Sequence, residues 1–206
     1  MTGPLPRVVL ATRNEHKTRE LARILAPYGV ALASLDEWPD VPDVAETGTT
    51  FAENALLKAR AVAAATGLVA VADDSGLAVD ALNGMPGVLS ARWAGRHGDD
   101  AANLSLVLAQ LADVPDSRRG AAFVCAAAAV APSGGAELVV EGRVDGVLLR
   151  SARGTGGFGY DPIFVPAEES RTTAEMSAEE KDAISHRGKA FRELAPRLTE
   201  LLGTVQ

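Results

Sequence analysis

The sequence predicts a mixed α/β protein with a partly antiparallel central sheet that is flanked by helices. Two observations carry this prediction. Short β-branched runs alternate with amphipathic helical segments in the first half, and apolar runs joined by glycine follow one another in the second half. No repeat and no inter-domain linker interrupts the 206 residues. We therefore expect residues 1–206 to form a single domain, long enough for one substantial core built as two lobes.

The first half of the chain predicts two strands, each with a helix beside it. Residues 7–11, RVVLA, form a β-branched run, and residues 15–26 then place their apolar side chains on one helical face. The TFAE pattern at residues 50–53 is typical of a capping box and opens a helix over residues 51–66. The apolar run LVAVA at residues 68–72 predicts the second strand, which ends directly in the sequence DDSG.

The second half predicts one helix, three strands and a helical end. A helix begins at Asp99 or Asp100, and strands follow over residues 121–131, 137–142 and 146–150, joined by glycine-rich turns. This run of strands is why we expect an antiparallel portion of the sheet.

The end of the chain predicts helices. A second capping-box pattern lies at residues 177–180, and an apolar stripe runs from Phe191 to Leu201. Pro196 lies inside that stripe, so we expect it to kink the helix or to mark the start of a new one.

Composition excludes several classes of partner. The net charge is -7 and no basic stripe is present, which argues against a nucleic-acid backbone as the main partner. No apolar run has the length of a signal peptide or a membrane span. The single cysteine, Cys125, lies in an apolar run and is expected to be a small buried residue. These features predict a cytoplasmic protein without a membrane contact.

The segment LATRNEHK, residues 10–17, passes from a strand end into a helix start. A helix N-terminus offers N–H groups and a positive dipole to an anion, while Thr12, Asn14 and Lys17 add donors. The segment lacks the glycines of a Walker A loop, so it would be a different kind of phosphate site. The alternative is that Thr12 or Asn14 is only a helix cap and that Lys17 is solvated.

The pair Asp73 and Asp74 follows the second buried strand. Two adjacent carboxylates are unfavourable unless a positive charge lies beside them, and Mg2+ held by carboxylate oxygens is a common solution. Adjacent strand residues point to opposite faces, so we expect only one of the two to face a ligand. The alternative is a plain Asp-Ser-Gly turn.

Two further groups of polar residues are candidates for a metal-binding or substrate-binding role. Asn54 and Lys58 are i,i+4 neighbours on one helix face, and Glu46 in the preceding loop could supply another metal carboxylate. His186 and Arg187 offer several donors for carbonyl or phosphate oxygens. The alternatives are a solvated helix face for the first group and a surface His-Arg pair for the second.

The stretch GTGGFGYDPIF contains the spacing G-x-G-x-x-G at Gly154, Gly156 and Gly159. A dinucleotide-binding fingerprint follows the first strand and opens a helix, whereas Pro162 disfavours a helix here. We therefore interpret the stretch as a loop that presents Phe158 and its neighbours, with clustered aromatic side chains able to stack on a base.

Five segments in order carry a resemblance to one family. ATRNEHK, ETGTTFAENALLKA, ADDSGLAVDALNGMPGVLSAR, GTGGFGYDPIF and ISHRGKA closely resemble the inosine triphosphate pyrophosphatases, also called XTP/dITP diphosphatases. The match runs from about residue 7 to residue 200. One such motif is a weak signal, but five with this order and spacing are a strong one.

The resemblance implies a two-lobed α/β fold with the active site in a cleft, and a homodimer. It also implies hydrolysis of ITP, dITP or XTP to the monophosphate and pyrophosphate with Mg2+, which cleanses the nucleotide pool. Small purine nucleoside triphosphates are then the expected partners, with no role for nucleic acid.

The resemblance also implies roles for individual residues. Asp74 matches the catalytic proton acceptor and metal ligand, and Glu46 a carboxylate linked to the metal. The expected substrate contacts are Thr12, Arg13, Asn14, Glu15, His16, Lys17, Lys58, Ser75, Phe158, Gly159, Tyr160, Asp161, Lys181, His186 and Arg187. Arg13 stands where some members have glycine, so it either adds a phosphate contact or points to solvent.

Two alternative functions would require other sequence features. A Maf-like pyrophosphatase acting on dTTP or UTP would lack the SHR motif at residues 185–187. A non-catalytic nucleotide-binding protein would be expected to lack Asp74 or Lys17, and both are present.

Overall fold

The computed structural model describes residues 7–132 and 134–204, and within them a six-stranded mixed sheet. The strands are β1 (Arg7–Leu10), β2 (Ala31–Ser34), β3 (Val69–Val79), β4 (Gly120–Val130), β5 (Glu137–Leu148) and β6 (Phe164–Pro166). The helices are α1 (Glu15–Leu25), α2 (Phe51–Thr66), α3 (Asp100–Gln110), α4 (Ala178–Ile184) and α5 (His186–Thr204). No helix among the described residues has both the length and the apolarity needed to cross a membrane.

The sheet order is β2-β1-β3-β4-β5-β6, and its pairings are of both kinds. Strand β1 pairs in parallel with β2 and with β3, whereas β5 and β6 pair antiparallel. The prediction of a mixed α/β fold with a partly antiparallel sheet is confirmed. Strand β2 is only four residues long and was not predicted, because ALAS has neither a β-branched residue nor a clear alternation.

Two strand boundaries differ from the prediction. Strand β3 does not end before DDSG but continues through it to Val79, since cationic partners described below let both aspartates lie within a buried strand. Residues 137–148 form one strand rather than two. Gly146 is not a turn residue: it lies opposite β6, where a Cβ atom would collide with the Val165 carbonyl oxygen and the Phe164 ring.

The helical end of the chain also differs in one detail. Pro196 lies inside α5, which runs without a break from His186 to Thr204, so no new helix begins at the proline. The capping boxes at residues 50–53 and 177–180 are both present and open α2 and α4. Helix α3 begins at Asp100, one of the two predicted starts, and Asp99 is its N-cap.

The chain divides into two compact units. The first contains the residues up to Asp74, Cys125–Gly142 and the residues from Arg187 onward; the second contains Ser75–Val124 and Arg143–His186. In the first unit, alternate residues along β1 and the directly following Ala11 pack into different apolar clusters. Val8 and Leu10 join α1 and α5, whereas Val9 and Ala11 join α2. This alternation places helices on both faces of the strand. Cys125 is fully buried among these residues, as predicted.

The second unit has an apolar core of its own. Strand residues such as Leu77 and Phe123 pack there with Val107 of α3 and with Phe164 of β6. That residues 1–206 act as a single domain stays a prediction.

Candidate functional site

The two aspartates at the centre of β3 contact different partners. Asp73 lies 3.0 Å from the Lys17 Nζ atom and 3.2 Å from the Arg187 Nε atom. Asp74 lies 3.5 Å from the Lys58 Nζ atom, and its other oxygen accepts a hydrogen bond of 3.0 Å from Asn54. The separation follows from the strand period of two, which turns consecutive side chains to opposite faces.

Lys58 connects Asp74 to the loop before α2. Its ammonium group lies 2.6 Å from Glu46, so one cation contacts both carboxylates that the sequence analysis assigns to a metal. The resulting group of charged residues in the first unit is called the carboxylate cluster here. Its members are Lys17, Glu20, Glu46, Lys58, Asp73, Asp74 and Arg187.

The two aspartates differ in acidity. Burial raises the pKa of Asp74, and the attraction of Lys58 only partly opposes this. Burial would raise the pKa of Asp73 as well, but the charges of Lys17 and Arg187 lower it well below its usual range. Asp73 therefore stays ionised, and Asp74 is the better proton acceptor of the pair.

Lys58 keeps its proton in this environment. Burial alone would lower the pKa of Lys58, but the charges of Asp74, Asp73 and Glu46 raise it overall. A buried, protonated amine beside two carboxylates can also contact a third anion, such as a phosphate group.

Arg187 lies in the carboxylate cluster as a buried cation. Its guanidinium donates to Asp73 through Nε and to Glu20 through Nη1, at 3.2 Å each. Only 5% of Arg187 and 4% of Glu20 are exposed. The alternative of a surface His-Arg pair is therefore wrong, because both residues are buried.

Glu20 is the cluster residue that the sequence analysis missed. It lies on α1 beside Leu21 and is buried with that helix's apolar face, where a carboxylate needs a partner. A charged residue inside an apolar stripe, three positions after Lys17, is the signal that could have identified it.

The loop between β1 and α1 is organised by its own side chains. Asn14 is the N-cap of α1, and its oxygen accepts from the N–H groups of His16 and Lys17, while Thr12 accepts from the Asn14 N–H. Asn14 is thus a helix cap, as one part of the alternative has it, whereas the other part is wrong because Lys17 pairs with Asp73 instead of being solvated. Two N–H groups expected to face an anion are bonded to this cap, so Lys17 is the cation of this loop that reaches the cluster.

Arg13 is exposed and contacts a neighbouring loop, and its expected phosphate contact stays a prediction. Its Nη2 donates to the Val41 carbonyl at 2.6 Å, and its Nε lies 3.5 Å from Asp43. The side chain therefore connects this loop to the segment that leads to Glu46. Glu15 and His16 are exposed in the first turn of α1.

In the second unit, Asp161 organises the glycine-rich loop. It accepts hydrogen bonds from the Phe158 N–H at 2.8 Å and the Thr173 hydroxyl at 2.8 Å, and it pairs with Lys181 at 2.6 Å. Gly157 has a φ of +70°, and a Cβ atom there would collide with the Asp161 carboxylate. Asp161 thus anchors the turn, and its expected substrate contact stays a prediction. The absence of a helix over residues 154–160 confirms that the G-x-G-x-x-G spacing is not a dinucleotide fingerprint.

The aromatic residues of this loop are not equivalent. Phe158 is partly buried and has the Lys181 ammonium 4.9 Å from its ring centroid. Tyr160 is 4% exposed and donates its hydroxyl to the Ser90 carbonyl at 2.9 Å, while the Gly159 N–H donates to Asp100. Phe158 is therefore the better platform for a base. Ser75 is partly buried at the start of the second unit.

His186 is another predicted substrate contact in the second unit. It begins α5 directly after Ser185, is 4% exposed, and lies parallel to the Phe123 ring at 4.8 Å between centroids. Phe123 was not predicted to take part in a site.

The structure and the site together define a class of protein: a mixed α/β protein with a lysine between two carboxylates in one unit and a glycine-rich aromatic loop in the other. The model of the Ham1 family matches residues 8–197. The chain belongs to this family, which confirms the resemblance found in the sequence.

Similar proteins have been described in several bacteria. The chain is 63% identical over 201 residues to a dITP/XTP pyrophosphatase of Streptomyces coelicolor, covering 97% of this chain and all of that protein. The crystal structure of a nucleoside-triphosphatase, dITP/XTP pyrophosphatase, from Mycobacterium abscessus is 60% identical, covers 92% of this chain and 99% of its own, and has a TM-score of 0.76. A HAM1 protein structure from Coxiella burnetii is 44% identical and has a TM-score of 0.86. The match covers 95% of this chain and 100% of the Coxiella chain.

Proposed function

We propose that this protein hydrolyses ITP, dITP and XTP to the nucleoside monophosphate and pyrophosphate, and so cleanses the nucleotide pool. One observation carries the proposal: a buried aspartate of raised pKa, Asp74, shares a lysine with Glu46. Such a group can accept a proton from water beside a cation that binds phosphate. The Streptomyces and Mycobacterium relatives are both named dITP/XTP pyrophosphatases, which supports the same reaction.

The carboxylate cluster is suited to the triphosphate end of the substrate. It has four carboxylates and three cations, so it carries one net negative charge when all are ionised. Among the described residues no group of three or more acidic, His or Cys side chains forms a metal cage. Mg2+ usually takes one or two carboxylates and completes its shell with waters and substrate phosphates. Glu46 and Asp74 fit that pattern because both contact the same ammonium group.

When bound, Mg2+ supplies charge neutralisation on the phosphate oxygens. Glu46 and Asp74 would hold it, Asp74 would accept the proton of the attacking water, and Lys58 would contact the triphosphate. Lys17 would add a second positive charge, while Asp73 keeps its side chain in place. No covalent intermediate is needed.

The second unit is suited to the purine. Phe158 would stack on the ring, while Lys181 and His186 would present donors to the 6-oxo oxygen. Adenine has an amino donor at that position, so a site of donors leaves polar groups unpaired and rejects it. Arg187 was expected to be a third donor, but its burial between two carboxylates supports a positioning role.

The remaining expectations are proposals as well. A homodimer and a cytoplasmic location follow from the family resemblance and from the cysteine content, and the substrate contacts of Thr12, Asn14, Glu15 and His16 stay predictions.

A panel of nucleoside triphosphates, assayed for pyrophosphate release with Mg2+ or Mn2+, tests the proposal. We expect dITP, ITP and XTP to be hydrolysed far faster than dATP, dGTP, dTTP or UTP. Asp74→Asn should retain less than a tenth of the wild-type kcat, since a positioned base contributes about 10²–10⁴-fold. Preferred hydrolysis of dTTP or UTP would instead indicate a Maf-like specificity, and no hydrolysis of any nucleotide would indicate a binding protein.

A further inference from the structure

The imidazole of His186 has a fixed plane. Its ring lies 4.8 Å from the Phe123 ring between centroids, with an angle of 10° between the planes. His186 is 4% exposed and Phe123 is 8% exposed, so neither ring has room to turn. Parallel stacking covers one face of the imidazole, so the hydrogen bonds of this residue are made at the ring edge.

Phe123 is itself held from another side. The ring of Phe164, which is fully buried at the start of β6, meets it at 4.6 Å with an interplanar angle of 61°. Phe123 belongs to β4, the neighbour of β5, and β5 pairs with β6. The position of the Phe123 ring is therefore set by the sheet, and the plane of His186 follows from it.

This arrangement has a consequence for recognition. The N–H donors of an imidazole lie in the ring plane, so fixing the plane fixes the direction of the hydrogen bonds. We propose that Phe123 is a positioning residue for specificity: by stacking on His186 it aims that residue's donor at a 6-oxo purine. The inference rests on the proposed function, and it assigns His186 an edge-on hydrogen bond rather than a stacking contact.

Phe123→Leu tests this proposal, with kcat and KM measured for dITP and dATP. An aromatic pair contributes a factor of about two to ten, so the preference for dITP over dATP should fall by about that factor. The change should come mainly from a higher KM for dITP. Phe123→Tyr keeps the ring and should keep the preference, and Phe123→Met replaces the leucine variant if the latter does not fold.

Two comparisons separate positioning from a merely structural role. Phe191 is a buried aromatic residue elsewhere on α5, so Phe191→Leu should lower the stability of the protein without changing its preference for dITP over dATP. In a His186→Asn background, Phe123→Leu should lower the preference no further. If Phe123→Leu slows both substrates equally, or if the two substitutions act independently, the proposal is wrong.

A readout without nucleotide keeps the inference separate from the proposed function. The ring-proton NMR signals of His186, identified among the three histidines by their loss in His186→Asn, should shift in Phe123→Leu because the neighbouring ring current is removed. A shift supports the stack even if wild-type protein hydrolyses no dITP, in which case only the proposed function fails. Unchanged signals would overturn the stack itself.

Discussion

Replacement of Arg187 by alanine should destabilise the protein far more than an ordinary arginine substitution on the same helix. Arg187 is 5% exposed and contacts both Asp73 and Glu20. Without it, Asp73 keeps Lys17 at 3.0 Å, but Glu20 loses its buried ion pair. Glu20 also has an oxygen, Oε1, that is buried without a hydrogen-bond partner, so its solvation is already incomplete.

The size of the effect follows from these contacts. Removing one partner of a buried ion pair costs about 3–5 kcal/mol, because an uncompensated charge stays buried. For a chain of this length, each kcal/mol lowers Tm by about 2–4 °C, so we expect a loss of about 10 °C. Arg197 on the same helix provides the control: it pairs with Glu193 at 3.0 Å, and both side chains are half exposed. Arg197→Ala should cost less than about 0.5 kcal/mol.

Urea unfolding followed by circular dichroism measures both variants at pH 7. Adding Glu20→Gln to Arg187→Ala should recover part of the loss, since it removes the uncompensated carboxylate. The reasoning is refuted if Arg187→Ala and Arg197→Ala lose the same free energy of unfolding, or if Glu20→Gln destabilises the Arg187 variant further.

Three other predictions concern the two groups of site residues. Asp74→Asn should raise the free energy of unfolding at pH 7 while it abolishes activity, because burial raises the pKa of Asp74 and makes its ionised form unfavourable in the folded protein. The penalty for ionising Asp74 is absent below its ordinary pKa of 3.8 and grows as pH rises through the folded value. Urea titrations should therefore show that the stability gained by the variant vanishes near pH 3.8. Gly157→Ala should cost more stability than Gly159→Ala, since both positions have positive φ but only Gly157 would collide with Asp161; equal costs in thermal unfolding would contradict this. Arg13→Gly should raise the Mg2+ concentration needed for half-maximal pyrophosphate release, because it frees the segment that leads to the predicted metal carboxylate; an unchanged Mg2+ curve would show that this contact is not needed.

Periodicity and capping patterns were sufficient to predict most of the fold. The TFAE and SAEE sequences open helices as expected, because their hydrogen bonds are local to four residues. The continuation of β3 through DDSG was not predictable in the same way. It depends on Lys17 and Arg187, which approach Asp73 from distant parts of the chain.

In the candidate site, too, some features could be predicted from the sequence and others could not. The sequence named Asp74, Glu46 and Lys58, and the structure brings these three together. It left open whether Thr12 or Asn14 caps α1, and it did not reveal that Arg13 binds the Val41 carbonyl or that Phe123 stacks on His186. Each of these depends on where a side chain points, and residue type and spacing alone leave several directions open.

The most direct test of the proposed reaction is hydrolysis of dITP by the wild-type protein in ¹⁸O-labelled water, with the products analysed by mass spectrometry. Attack of water on the phosphate next to the nucleoside predicts dIMP and pyrophosphate in equal amounts, with the label in dIMP. Formation of dIDP and inorganic phosphate, or label found only in pyrophosphate, would contradict the account.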